Sequence, residues 1–268
     1  MTETPTTEQE PWALVTGAGS GIGAALAAVL TERGYRVVLV GRRAARLEAT
    51  RSAFPVPEAG ICCAADLARS SDRAALIQRV NDVVSVEGGH LRYLVHNAGI
   101  GAPSAGFEAM APDALEEAMA VNMTAPLTLT QGWLPLLRAA GGHARLLLVG
   151  AGIAERAQPG TGIYGITKCA LHRLFDQMVT DFSHEREPSN PAVALFRPGL
   201  VDTEGLRDHI EAARACGLPH VDYLEQALAA GDAWTARDVA HAMSNALVNA
   251  PAADFHSKVL RTAEWQGA

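Results

Sequence analysis

A chain of 268 residues with 49% hydrophobic and 19% charged side chains holds enough apolar material for a large core and too little charge for a disordered one. Its formal net charge is −7 and it has no basic run, which argues against nucleic acid, because binding a phosphate backbone takes a basic face. It shows neither an apolar stretch of membrane-spanning length nor the basic, then apolar start of a secretory leader.

Residues 1–10 are polar and acidic and read as a flexible tail. From residue 11 on, short apolar runs alternate with amphipathic stretches. The first run, 12–16, ends at a cluster of glycines. Residues 24–33 have helical composition and stop at Gly34, and a second strand follows at 35–40. Further strand-like runs fall at 61–65, 91–95, 144–149 and 192–196, and 258–262 reads as a closing strand. Helical segments are expected at 71–84, 112–123, 127–139 and 164–182, and a turn at 187–191. Strand and helix in alternation imply parallel strands joined by crossover helices. The fold class is therefore α/β, a doubly wound parallel sheet of Rossmann type, as a single domain over 11–268. The alternation breaks over 203–233, where Gly205, Gly217, Pro219 and Gly231 interrupt apolar residues such as Leu206 and Ile210. Two readings stand for this segment: a cover over a binding site, or plain surface helices.

The four cysteines, Cys62, Cys63, Cys169 and Cys216, form no C-x-x-C and read as free thiols of a cytoplasmic protein. The histidines form no H-E-x-x-H, and no metal site is expected.

The glycine cluster, Thr16-Gly17-Ala18-Gly19-Ser20-Gly21-Ile22-Gly23, lies between a strand and a helix. In such a place Gly17 permits a sharp turn, Gly21 lets the backbone approach a pyrophosphate and Gly23 lets helix and strand pack closely. The helix N-terminus then offers free amides to the phosphates. A site for a dinucleotide bearing only a ribose 2′-hydroxyl would place an acid at the end of the second strand. Here Arg42 and Arg43 stand there, and two guanidiniums suit a 2′-phosphate, with Ser20 adding a hydroxyl. The cofactor expected is NADP(H). Tyr164 and Lys168 are four apart in a helical segment and so share a face. A phenol is a poor acid–base catalyst near neutrality, and a neighbouring ammonium lowers its pKa.

The glycine spacing T-G-x-x-x-G-x-G, the Tyr164/Lys168 pair and Arg197-Pro198-Gly199, in this order, resemble the short-chain dehydrogenase/reductase family over nearly all of 12–203. The resemblance implies a hydride transfer between nicotinamide and a carbonyl or alcohol substrate, with Tyr164, Lys168 and Asn122 as catalytic residues. Asn122 corresponds to the family residue that holds a water behind the lysine. Asp66 corresponds to the acid at the adenine, with Leu67 beside it. Asn97-Ala98-Gly99 corresponds to the segment along the cofactor. Pro198, Gly199, Val201 and Thr203 correspond to the stretch reaching the carboxamide. Ile22 belongs to the phosphate loop. Substrate contacts are expected at Ala151, Leu206 and Thr161, the last as the nearest hydroxyl in sequence and not at a family position. Relatives pair through the helices here at 112–139 and 164–182, which implies a homodimer or homotetramer. A looser likeness to the sepiapterin and benzil reductase branch suggests aromatic or vicinal diketones. Pterin fits less well, since the expected last strand carries no acid.

One position departs from the family. Where a serine usually stands, 13 residues before the tyrosine, this chain has Ala151, and no serine occurs between Gly142 and Tyr164. Losing one donor to a reacting oxygen costs roughly 10²–10³ in rate in other enzymes. Two readings follow: a carbonyl reductase in which another group replaces the hydroxyl, or a protein that binds NADP(H) without turnover, as a sensor or an assembly subunit.

Overall fold

The computed structural model describes residues 11–86, 89–101 and 104–267; the acidic tail read over 1–10 lies outside the described residues. In chain order the elements are β1 (Trp12–Thr16), α1 (Gly21–Glu32), β2 (Arg36–Gly41), α2 (Ala44–Ser52), β3 (Gly60–Ala64), α3 (Ser70–Val86), β4 (Leu91–His96), α4 (Pro112–Met119), α5 (Ala125–Arg138), β5 (Arg145–Val149), α6 (Gly162–Glu185), β6 (Ala192–Arg197), β7 (Val201–Asp202), α7 (Glu204–Ala215), α8 (Val221–Ala230), β8 (Trp234–Thr235), α9 (Ala236–Asn249), α10 (Ala252–Phe255) and β9 (Val259–Arg261).

Seven strands form one parallel sheet in the order β3-β2-β1-β4-β5-β6-β9. Both faces are covered, which is why the strands are apolar at consecutive rather than alternate positions. In β1 every residue is buried. Ala13 and Val15 face a core with Leu26, Leu30, Met243 and Leu247 of α1 and α9. Trp12 and Leu14 face the opposite core with Val80, Trp133, Leu171 and Phe175 of α3, α5 and α6. The strand order reverses between β1 and β4, and a cleft opens there at the carboxyl ends of the strands, as is general for such sheets.

The sequence placed a break between helices 112–123 and 127–139. The structure instead runs α4 into α5 through a π turn, Ala120–Thr124. Two longer helices had no counterpart in the sequence reading, and neither had the four-residue α10. In α2, mostly polar, only Leu47 is buried. The other, α9, begins with a reciprocal Thr235/Asp238 capping box; Arg145 donates to the Ala246, Leu247 and Ala250 carbonyls near its C-terminal end. A guanidinium there supplies donors that the last helical turn lacks.

Segment 203–233 forms α7 and α8, with a small apolar cluster of their own around Ile210, Ala213 and Val221. The chain enters and leaves this pair side by side, because β7 and β8 pair through Val201↔Trp234 and Asp202↔Thr235. The pair is thus a compact excursion from the sheet, tied at its base.

Trp133 is fully buried between α3 and α5, and its indole N–H donates to the Ile77 carbonyl at 3.4 Å. Trp133→Ala is expected to cost about 3–5 kcal/mol, read as a lower urea midpoint.

Candidate active site

The cleft is built around Thr16. Its hydroxyl donates to the Val95 carbonyl at 3.3 Å and accepts from the Asn97 and Ala98 amides, both at 3.0 Å. Asn97 Nδ2 donates back to the Thr16 carbonyl at 3.0 Å. These bonds tie the ends of β1 and β4 together at the switch point. Gly17 has φ +71°, a conformation costly for a residue with a side chain. A Cβ at Gly23 would stand 2.3 Å from the Gly17 carbonyl oxygen, so only glycine permits α1 to start so close to β1.

Ser20 occupies the N-cap position of α1, and its hydroxyl makes no capping bond. Arg42 and Arg43 are exposed at the end of β2. Asp66 accepts from the Ala68 amide at 3.1 Å, and its own amide donates to Asp72. Gly99 lies at the mouth of the same cleft, where a Cβ would be 3.4 Å from Asn122 Oδ1 and 3.5 Å from Lys168 Nζ. Thr203 reaches back over the glycine loop, its methyl 3.4 Å from a Cβ built on Gly21. Thr203 also caps α7 by accepting from the Leu206 amide at 3.2 Å, and the next residue, Glu204, pairs with Arg46 of α2 at 3.1 Å. A narrow, glycine-lined cleft with free helix-terminal amides, a spare hydroxyl and two exposed guanidiniums at one end fits a dinucleotide carrying an additional phosphate.

Tyr164 and Lys168 lie on the first turns of α6, with Lys168 Nζ 5.6 Å from the centre of the tyrosine ring. Lys168 is 3% exposed, and its ammonium donates to the Val149 carbonyl at 2.8 Å. Burial lowers its pKa to about 8 and raises the Tyr164 phenol to about 12. Asn122, in the π turn, is bound on three sides. Its Nδ2 donates to the Ile100 carbonyl at 2.7 Å and to Thr167 Oγ1 at 2.8 Å, and its Oδ1 accepts from the Ile100 amide at 2.8 Å. The π turn is what aims Asn122 inward at this point, a common use of such irregularities. The side chain joins the loop after β4 to the residue just before Lys168.

Ala151 lies two residues beyond β5, and its amide donates to His172 Nε2 at 3.3 Å. His172 lies one turn beyond Lys168 on α6; its pKa is lowered by burial, then by the charges of Arg197 and Lys168. The sequence reading missed it, although its i+4 spacing from Lys168 puts it on the same face. Thr161 precedes α6 and is 8% exposed, but its hydroxyl donates to the Gln158 carbonyl at 2.9 Å, which takes its proton away from any substrate. Leu206 packs with Ile210 and Leu218 in the cluster of α7 and α8. Pro198, Gly199 and Val201 follow β6 on the far side of the cleft; the Pro198 carbonyl accepts from Thr262 at 2.8 Å.

A family model described as short chain dehydrogenase matches residues 11–213. A short-chain type dehydrogenase/reductase of Sinorhizobium fredii is 30% identical over 209 residues, covering 75% of this chain and 78% of its own. An oxidoreductase of Listeria innocua is 29% identical over 194 residues, covering 71% and 74%. Among solved structures, a short chain dehydrogenase from Burkholderia cenocepacia in complex with NADP is 25% identical, with a TM-score of 0.76 over 95% of this chain and 97% of that one. No helix among the described residues is long and apolar enough to cross a membrane.

The buried ammonium has a measurable signature. An unfolded lysine titrates near 10.5 and this one near 8, so between those values the unfolded chain holds the extra proton and stability rises with pH. Unfolding of the native protein and of Lys168→Met, compared from pH 8 to 10.5, is expected to show a gain of about 3 kcal/mol in the native protein alone. Parallel curves would mean that the charge is not buried.

Proposed function

Because this chain belongs to the short chain dehydrogenase family, we propose that it is an NADP(H)-dependent oxidoreductase acting on a carbonyl or alcohol substrate, with Tyr164 as acid–base catalyst. The observation that carries this reading is Lys168. An ammonium with 3% exposure, held at the end of β5 within 5.6 Å of a tyrosine ring, is costly to the fold and serves the phenol beside it.

In the reduction direction Tyr164 donates its phenolic proton to the substrate oxygen. The nicotinamide, when bound, supplies the hydride. At a pKa of about 12 the phenol holds its proton until needed, and positive charge brought close to it lowers that value. Lys168 supplies one such charge, and its ammonium also serves as a donor to ribose hydroxyls. Asn122 keeps the loop after β4 against α6, so that tyrosine and lysine keep their spacing. Arg42 and Arg43 bind the 2′-phosphate, Ser20 adds a hydroxyl there, and Gly17, Gly21, Ile22 and Gly23 shape the pyrophosphate cradle. Asp66 and Leu67 border the adenine. Asn97, Ala98 and Gly99 run along one side of the cofactor, and Pro198, Gly199, Val201 and Thr203 along the other. Segment 203–233 covers the substrate. The favoured substrates are ketones and diketones, and the family's pairing surface on α4 to α6 favours a homodimer or homotetramer.

The second reading, a cofactor-binding protein without turnover, is favoured by one observation. Ala151 brings no hydroxyl, its amide is already bonded to His172, and the Thr161 proton is spent on Gln158.

NADPH oxidation by the native protein, Ala151→Ser and Tyr164→Phe on one panel of diketones and aldehydes separates the two. Turnover is expected from the native protein, little gain from Ala151→Ser, and a loss of 10²-fold or more from Tyr164→Phe, on the order expected for a positioned acid. A silent native protein with an active Ala151→Ser variant would decide for the binding role. Replacing Arg42 and Arg43 by Ala is expected to weaken NADPH binding more than NADH binding; equal losses would remove the 2′-phosphate assignment.

A further inference from the structure

Outside the cleft, one polar cluster inside the α7–α8 excursion has no role in the reading above. His209, on α7, and His220, just before α8, face each other with Nε2 atoms 3.1 Å apart. Their ring planes differ by 14° and their centres are 5.3 Å apart. That separation is too wide for face-to-face contact and matches two rings meeting edge to edge in one plane, as an N–H···N bond requires. On its other side His209 Nδ1 meets Ser104 Oγ at 3.2 Å. Among the described residues His220 Nδ1 is buried without a partner. A buried N–H without an acceptor is rarer and costlier than a bare lone pair. This favours the arrangement in which His220 donates from Nε2 to His209 Nε2 and His209 donates from Nδ1 to Ser104.

Ser104 belongs to the body of the protein, in the loop between β4 and α4, and is 6% exposed. That loop lies against Tyr164 at one point and against the segment before α6 at another. A Cβ at Gly101 would stand 3.0 Å from Tyr164 Cδ2, and the Ala105 amide donates to the Gly160 carbonyl at 3.1 Å, beside the start of α6. The excursion grips the same two loops elsewhere. Cys216 Sγ donates to the Ser104 carbonyl at 3.4 Å, and Leu218 fills the space above Gly160. With its ends clipped by β7 and β8 and its apolar cluster internal, the α7–α8 unit is joined to the loop after β4 and to the segment before α6 by these contacts.

We propose that His209, oriented by His220, is a positioning residue that latches the α7–α8 unit onto Ser104 and thereby seats the β4–α4 loop against Tyr164. This deepens the oxidoreductase reading and rests on it for its catalytic meaning. The latch sets how well substrate is held under the unit, so its loss weakens substrate binding more than it slows the chemical step.

The test uses the NADPH-loaded full chain with His209→Ala, His209→Asn, Ser104→Ala and the His209→Ala/Ser104→Ala double variant. Two quantities are read: amide hydrogen exchange over 204–220 and at Ala105, and kcat and KM for carbonyl reduction. His209→Ala and Ser104→Ala are each expected to speed exchange in both regions and to raise KM about tenfold, which corresponds to about 1.4 kcal/mol, with kcat within about twofold. The double variant is expected to be no worse than His209→Ala alone, because the Ser104–His209 bond is already cut in that single variant. Asn at 209 places an amide N–H where Nδ1–H stands and is expected to recover most of the native KM. Native-like exchange in His209→Ala, additive losses in the double variant, or an Asn variant no better than Ala would overturn the latch. A native protein without turnover, in which His209→Ala still loosens 204–220, would instead overturn the oxidoreductase reading and leave the latch as a structural lock.

Discussion

The site depends on one uncomfortable charge. Lys168 carries an ammonium into the junction of α6 and β5, where a single backbone carbonyl, that of Val149, receives it. An isolated cation in such a place is unfavourable, and the lowered pKa of Lys168 is the measure of that. Everything around it is arranged so that the lysine stays there. β5 must end with its carbonyl pointing at α6. α6 must begin just early enough to put Tyr164 one turn ahead. Asn122 must fasten the neighbouring loop to Thr167, so that the pocket cannot relax around the charge. Among the described residues no carboxylate pairs with it, so the charge remains available to influence a phenol or a ribose hydroxyl, which a salt-bridged lysine would not.

The opposite wall of the cleft follows a different rule, exclusion of side chains. Gly17 and Gly23 bring α1 against β1, and the Thr16–Asn97 bonds fix β4 alongside. This wall is thus close-packed backbone tied by two short side chains, Thr16 and Asn97, whereas the wall with Tyr164 and Lys168 is held by longer side chains such as Asn122 and Lys168. The Glu204–Arg46 pair spans it near the base of the α7–α8 unit, but it is exposed and contributes little energy.

Much of this was legible in the chain. The sheet strands announce themselves as apolar runs because parallel strands are buried on both faces, and residues such as Leu14 and Val15 carry that signal whatever their neighbours. The Tyr164–Lys168 spacing and the glycine pattern are local, so periodicity was enough to place them. The parts that could not be read are those that depend on distance in the chain or on polar surfaces. α2 buries only Leu47 and so has no amphipathic stripe. The π turn at Asn122 leaves no mark in composition. His172 beside Ala151 and His209 beside Ser104 are joined across 21 and 105 residues, and nothing in a single sequence pairs a histidine with a distant amide or hydroxyl. Thr161 shows the reverse problem: its residue type suggested a donor, and only the turn around Gln158 shows where its proton goes.

The π turn between α4 and α5 also bears on how this chain can change in length. A π turn holds one residue more than the α-helical turn it replaces. Deleting a single residue from 120–124 would therefore yield an ordinary, well-bonded helix, and the two flanking cores could close around it. The flanking turns would keep their phase and α5 its buried face, but the wide turn that carries Asn122 inward would be gone. Asn122 would then no longer meet both Ile100 and Thr167. At this position a frame-preserving loss of one amino acid is nearly invisible to folding and decisive for the site, so the one extra residue is itself a functional element.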